Sequence, residues 1–423
     1  MEHSRGIVIG RWDDAIGLDI VAEYPNNFRA NSNIKDPDLL NVFNDRIVKQ
    51  NIGFEICSND YFEDQIASYY TPNPDGTFGD NEDNDFENHG IVFLILKKDQ
   101  QIEAFKEQFI EFSMFILKLV DKDEFPELFL NIIDNFSFLE PLSDEQRFAA
   151  IYNNEIREQF LKMLAEGPIS KSELLHWIET TYNLIFMDVQ GLLSPFIKTG
   201  LVKETLESTK AKKREEFYYL IRDVYLFRIP PKEILDACNK GKLNVLDELS
   251  KDYHDEVIHY FEEYELTPTD ITKISLLLAI PNLYKIIKLL RENAYEMDEL
   301  RIDFLENFNY LPSNFNYLLN LLEQNEIIRV YKKDKKKIFV LKTDVQFQLF
   351  FPEYLVDKIR KAWRESNLSK KIALKHLSML RDEYFENFMS FSGNKKEKGK
   401  LSSGSSGSAS STGTLNFLKF FKS

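Results

Sequence analysis

Cysteine is nearly missing from this chain: Cys57 and Cys238 are the only two in 423 residues and lie far apart. A disulfide scaffold is therefore excluded, and two reduced thiols in a cytoplasmic protein are expected. No apolar run approaches the ~20 residues that a membrane helix needs, and Met1-Glu2-His3 does not open a signal peptide. Basic charge is in deficit, with 53 Lys and Arg against 69 Asp and Glu and a net charge of −16. The mean field repels phosphate, so nucleic-acid binding would need a segregated basic face.

Patterns that carry chemistry are equally sparse. His89, His176, His254, His259 and His376 are scattered, neither cysteine has a second ligand at metal spacing, and His254 and His259 stand five apart, off a common helical face. Glycines are dense only at 392–413, where no strand precedes them, so no phosphate loop is recognisable. The acidic stretch from Asp75 to Glu87 invites calcium, but Asp80, Glu82 and Asn84 are followed by Asp85 where a calcium loop needs Gly. The expectation is a protein without cofactor, metal site or enzymatic activity.

Organisation is far more legible, and the length allows two to four domains. Residues 6–11 and 19–23 read as a hairpin, and Asp36, Pro37 and Asp38 start a helix carried by Leu39, Leu40, Phe43, Ile47 and Val48. Strands are predicted at 54–58, 62–70 and 90–98, the last apolar enough for a central strand. The polar stretch 71–90 between the last two reads as a loop. Ala104, Phe105, Phe109, Phe112, Phe115, Ile116 and Leu119 mark a long amphipathic helix, and 124–138 adds another. The order ββαβββαα, with the opening GIVIGRWDDAIGLDIVAEYP, resembles the longin fold over residues 1–145. That resemblance implies a five-stranded antiparallel sheet between one helix and two.

An internal repeat follows. At an offset of 126, Lys162, Leu164, Glu166, Glu173, Leu174, Leu192 and Leu193 match Lys288, Leu290, Glu292, Glu299, Leu300, Leu318 and Leu319. At an offset of 121, Leu220, Asp223, Val224 and Pro231 match Leu341, Asp344, Val345 and Pro352, the change falling in a shorter hairpin tip. Three helices and a two-stranded ribbon in each copy resemble the winged-helix family. The expected class is thus α+β multidomain: a longin-like sheet with helices on both faces, then tandem winged helices. Units are expected at 150–267 and 268–391, each with trailing helices, then a flexible Ser/Gly/Lys tether at 392–413 and an apolar peptide at 414–423.

A winged helix that reads DNA presents amide and basic side chains on its third helix. Here residues 185–200 carry one Lys and an internal Pro195, and 312–325 carry no Lys or Arg, leaving Gln190, Asn314 and Asn316 to reach bases. Charge gathers instead at the hairpin tips, in Lys210, Lys212, Lys213 and Arg214 and in Lys332, Lys333, Lys335, Lys336 and Lys337. Those tips suit either solvation and protection of a β-edge, or contact with phosphate on nucleic acid or anionic lipid.

The longin resemblance implies a binding platform of membrane-trafficking or small-GTPase-regulating type. Its partners would be a longin or roadblock domain or a small GTPase, with peripheral contact to anionic membrane. Arg11 and Arg46 are the candidates for a GTPase-directed arginine, each with a surface or structural role as the alternative. The competing reading is a transcription regulator whose longin-like domain senses or dimerises while the winged helices bind DNA. Leu415, Phe417, Leu418, Phe420 and Phe421 form a candidate docking peptide on its tether, unless the Ser/Gly run is an engineered linker. Changing Phe417, Leu418, Phe420 and Phe421 to Ser should abolish one interaction in a pull-down and leave the thermal midpoint of the folded body unmoved. A shifted midpoint would mean that the peptide packs on its own chain.

Overall fold

Strict alternation builds the first sheet. Val8, Ile66, Ile91, Phe93 and Ile95 point to one side, while Ile7, Ile9, Val92, Leu94 and Leu96 point to the other. The computed structural model describes residues 5–389 except 14–15, 32–33, 50, 58–63, 73–88, 98–101, 105, 118–119, 121–124, 126–128, 130–132, 134–140, 183–187, 209–213, 242–248 and 334–335. The strands β1 (Arg5–Asp13), β2 (Gly17–Tyr24), β3 (Gly53–Cys57), β4 (Asp64–Pro72) and β5 (His89–Lys97) pair antiparallel in the order β2-β1-β5-β4-β3. β5 is central, as its apolar run predicts. A short helix, α1 (Phe28–Asn31), precedes α2 (Asp36–Lys49), whose Leu39 and Phe43 cover one face. α3 (Lys106–Ile116) covers the other with Phe109, Phe112 and Ile116. Of the helix expected at 124–138, Phe125, Phe129 and Ile133 are described, four residues apart and buried on the α3 side. The acidic loop of Asp75–Glu87 lies outside the described residues.

The repeat reappears as matched elements. After α4 (Asp144–Tyr152), the first copy runs α5 (Glu155–Leu164), β6 (Ile169–Ser170), α6 (Lys171–Tyr182), α7 (Val189–Lys198), β7 (Val202–Ser208), β8 (Arg214–Leu220) and β9 (Asp223–Ile229), then α8 (Lys232–Asn239) and α9 (Ser250–Glu263). After α10 (Pro268–Ala279), the second runs α11 (Pro281–Glu292), β10 (Tyr295–Glu296), α12 (Met297–Phe308), α13 (Phe315–Gln324), β11 (Ile328–Lys333), β12 (Lys336–Leu341) and β13 (Asp344–Phe350), then α14 (Tyr354–Arg364) and α15 (Lys370–Glu383). Each copy folds its strands into a three-stranded sheet, β6-β8-β7 and β10-β12-β11. The molecule is thus of mixed α and β structure, with one five-stranded antiparallel sheet. Its chain divides into two compact units, Met1–His376 and Leu377–Ser423, the second helical where described.

The two copies join about a local two-fold axis. β9 pairs antiparallel with β13, and at the centre Leu226 faces Phe347, its own equivalent 121 residues on. The trailing helices are exchanged. Ile234 and Cys238 of α8 and Tyr253 and Val257 of α9 pack with Ala294, Ile338 and Val340 of the second copy, and Tyr253 Oη donates to Leu341 O at 2.8 Å. Reciprocally, Lys358 of α14 donates to Ala165 O at 3.0 Å, Lys371 pairs with Glu207 at 2.9 Å, and His376 Nε2 donates to Leu220 O at 2.7 Å. Leu220 and Leu341 are equivalent positions, so the same carbonyl in each copy is held by the other copy's trailing helix. The sequence unit therefore includes the trailing helices, whereas each packing unit borrows them from its neighbour.

Two arginines lock this seam. Arg228 of β9 is 5% exposed and holds Asp270 of α10, Asn325 O and Thr343 Oγ1. Arg291 of α11 joins Glu145 of α4 at 2.7 Å to Asp344 of β13 at 2.8 Å.

His376 makes the exchange sensitive to pH. Burial lowers its pKa to about 4 from an ordinary 6.5, because protonation would put a charge in a low-dielectric contact. Its contribution is fully present above pH 6.5 and is lost as pH falls toward 4. The loss approaches about 3 kcal/mol for a shift of this size. Chemical denaturation of wild type and of His376→Gln between pH 7 and 4 should show a steeper decline in wild type; parallel declines would remove His376 as the cause.

Candidate functional site

Arg157 of α5 sits where an amphipathic helix turns its apolar side inward, beside Ile156, Phe160 and Leu161, and is 1% exposed. Its guanidinium makes a two-pronged pair with Glu111 of α3 at 2.7 and 2.6 Å. It also donates to Leu192 O at 3.0 Å and Gly191 O at 2.9 Å on α7, and to Ala150 O at 3.2 Å on α4. Five donors in a planar fork meet acceptors from three helices, a geometry that Lys cannot reproduce. The N-terminal sheet domain is thereby joined to the first copy's third helix.

A second clamp lies beside it. Glu107 of α3, 8% exposed, receives both prongs of Arg147 at 2.8 and 2.9 Å and lies 3.1 Å from Lys198 of α7. The single cation of that third helix is therefore spent on the chain's own carboxylate. Close approach is built in by glycine at two points. Gly53 of β3 has a φ of +87°, and a Cβ there would stand 2.7 Å from the Asp188 carboxylate. Gly191 leaves room for Ile110 of α3, where a Cβ would come within 3.1 Å. Asp188 accepts from Gly191 N at 2.9 Å as the cap of α7, and burial pushes its carboxyl up.

The second copy presents its third helix differently. α13 buries Phe315, Leu318, Leu319 and Leu322, and exposes Asn316, Tyr317, Asn320 and Gln324. Asn316 accepts from Arg301 of α12 at 3.0 Å, and Asn314 is half-buried. Asp298, Glu299 and Glu306 stand exposed on the neighbouring α12. Gln190, the other amide candidate, is exposed on α7.

Of the hairpin tips, Lys210, Lys212, Lys213 and Lys335 lie outside the described residues. Arg214 is exposed and faces Ser208. In the second copy Lys332 faces Lys337 across the ribbon, and like charges placed directly opposite repel; the backbone of Lys333 is in register with that of Lys336. Lys336 is drawn back to Glu296 at 2.8 Å. The tail residues Leu415, Phe417, Leu418, Phe420 and Phe421 lie outside the described residues.

The arginine candidates part company. Arg11 lies across the hairpin from Asp19, with 3.5 Å between charges, and stays accessible. Arg46 is buried, bound to Glu55 and Gly53 O, which makes it structural. The described histidines do not converge: His89 meets the Tyr70 hydroxyl, His376 lies at the exchange, His254 and His259 lie on α9, and His176 is exposed on α6. Among the described residues no three potential metal ligands cluster. Cys57 contacts Ser68, and Cys238 donates to Ser250 at 2.9 Å. No helix among the described residues is long and apolar enough to cross a membrane.

Sequence reasoning missed the Arg157 joint. Its signal was an Arg at an apolar position of α5 and a Glu among the phenylalanines of α3. No family model, curated protein or solved structure matches the chain.

Removing one partner of a buried pair strands the other charge. Arg157→Ala should therefore cost about 3–5 kcal/mol in chemical denaturation, with α7 losing hydrogen-exchange protection first. The change measured in a Glu111→Gln background should be much smaller; an equal loss there would break the assignment of the pair as the joint.

Proposed function

We propose that this chain is a non-enzymatic protein-binding scaffold or regulator, working in a small-GTPase or membrane-trafficking type of complex in the cytoplasm. The observation that carries this reading is the inward use of α7. Its backbone is gripped by Arg157 and its lysine by Glu107, so the helix that would enter a DNA groove serves as a packing surface. The longin-like and tandem winged-helix reading gives the sheet domain and the twin units the part of rigid binding modules. Arg11 is the accessible arginine of the two that a GTPase could meet, and the apolar tail would add a tethered contact.

One feature favours the competing DNA-regulator reading: the facing lysines of the second hairpin beside an exposed α13. The acidic side chains of α12 oppose it, since they would meet phosphate with like charge. Pull-down with the full chain from its native cytoplasm, after nuclease treatment, should retain a small GTPase or a longin- or roadblock-type protein. Recovery of DNA alone, lost in Lys332→Glu/Lys337→Glu and steeply weakened by salt, would replace the scaffold with the regulator.

A further inference from the structure

Charge is distributed unevenly between the two repeat copies. The trailing helices of the second copy read YLVDKIRKAWR in α14 and KKIALKHLSMLRDE in α15, with eight Lys and Arg against three Asp and Glu. Their counterparts α8 and α9 read KEILDACN and SKDYHDEVIHYFEE, with two Lys against seven Asp and Glu. Both pairs do the same packing, each crossing to the other copy, so the fold accepts either sign of charge. The cations of α14 and α15 are thus gathered in one place within a chain of net charge −16. Like charges on neighbouring turns repel one another, a cost that an anionic surface would remove.

Leu355 and Ile359 turn one side of α14 inward, and Arg360, Lys361 and Arg364 are exposed. On α15, Ile372 and Ala373 are buried while Lys370, Lys371 and Lys375 are exposed. Arg364 and Lys370 make no ion pair among the described residues. Two large apolar side chains stand among these cations instead of in the core. Trp363 is 45% exposed, beside Arg364 and one turn after Arg360; Leu374 is 56% exposed, one turn after Lys370 and Lys371. The turn at 365–369 keeps the two helices close, with Asn367 N donating back to Ala362 O at 2.9 Å. Lys371 holds Glu207 of β7, next to Ser208, which faces Arg214, so α15 starts beside the basic tip of the first hairpin. A leucine set among lysines gains nothing from a phosphate backbone in water. In the headgroup layer of a bilayer, by contrast, the leucine and indole sink while the long cationic stems keep their charges at the lipid phosphates. We infer that α14 and the start of α15 dock on an anionic membrane surface, with Arg360, Arg364 and Lys370 at lipid phosphates and Trp363 and Leu374 seated in the headgroup layer.

The test uses the full chain with three probes: phosphatidylcholine vesicles containing about one third phosphatidylserine, pure phosphatidylcholine vesicles, and duplex DNA. Co-sedimentation should show binding to the anionic vesicles that weakens as salt rises, and none to the neutral ones. Tryptophan emission should shift to the blue on binding, a change absent from Trp363→Phe. Arg364→Glu/Lys370→Glu should weaken vesicle binding about tenfold or more and leave the thermal midpoint unmoved. Leu374→Ser should weaken it at unchanged charge, a result that stands even if the double reversal fails to fold. Equal binding to neutral vesicles, full binding by Arg364→Glu/Lys370→Glu, or a blue shift that persists in Trp363→Phe would overturn the assignment. Tighter binding of DNA than of vesicles, indifferent to Leu374→Ser, would also overturn it and give the face to nucleic acid. No partner protein is present, so a failure here leaves the scaffold reading to its own pull-down.

Discussion

A single buried guanidinium organises the contact between the five-stranded sheet's helix α3 and the first repeat copy. Arg157 cannot be left unpaired at 1% exposure, so Glu111 and three carbonyls must stay within hydrogen-bond reach. That requirement fixes α3, α4, α5 and α7 relative to one another. It also turns the Gly191 and Leu192 carbonyls of α7 inward. Gly53 and Gly191 follow from the same constraint, since a side chain at either would push the two surfaces apart.

The exchanged helices impose a second constraint. Each repeat copy leaves a strand carbonyl, Leu220 O or Leu341 O, that is satisfied from the other copy. Neither copy is complete alone, and the Leu226–Phe347 centre places them as halves of a two-fold pair within one chain. A fusion of two swapped subunits has this form. Loosening one copy would therefore uncover a buried carbonyl of the other.

Much of this was legible locally. The apolar run of β5, the start at Asp36 and the offset of 126 all come from short-range periodicity, and the structure keeps them: α5 and α11, α6 and α12, and α7 and α13 begin 126 residues apart. The scarcity of basic residues on the third helices was equally plain. What could not be read was which long-range partner each element chooses. Arg157 stands at an apolar position of α5, but its spacing does not name Glu111 as the partner until α3 is placed against it. His376 reads as one of several scattered histidines until Leu220 O lies 2.7 Å away.

The amino-acid sequence by itself determined most of the helices and strands, the duplication and the sign of the net charge. The antiparallel sheet between helices came from the resemblance to the longin fold, and the short β6 and β10 and the paired β9 and β13 were not anticipated. What was legible arises from side-chain pattern over a few turns or strands, or from composition. Tertiary structure alone decided that the trailing helices cross between copies and that the carbonyls of the first third helix meet Arg157. These depend on pairings between residues tens to more than a hundred positions apart. Periodicity records that a residue is buried, but not against what.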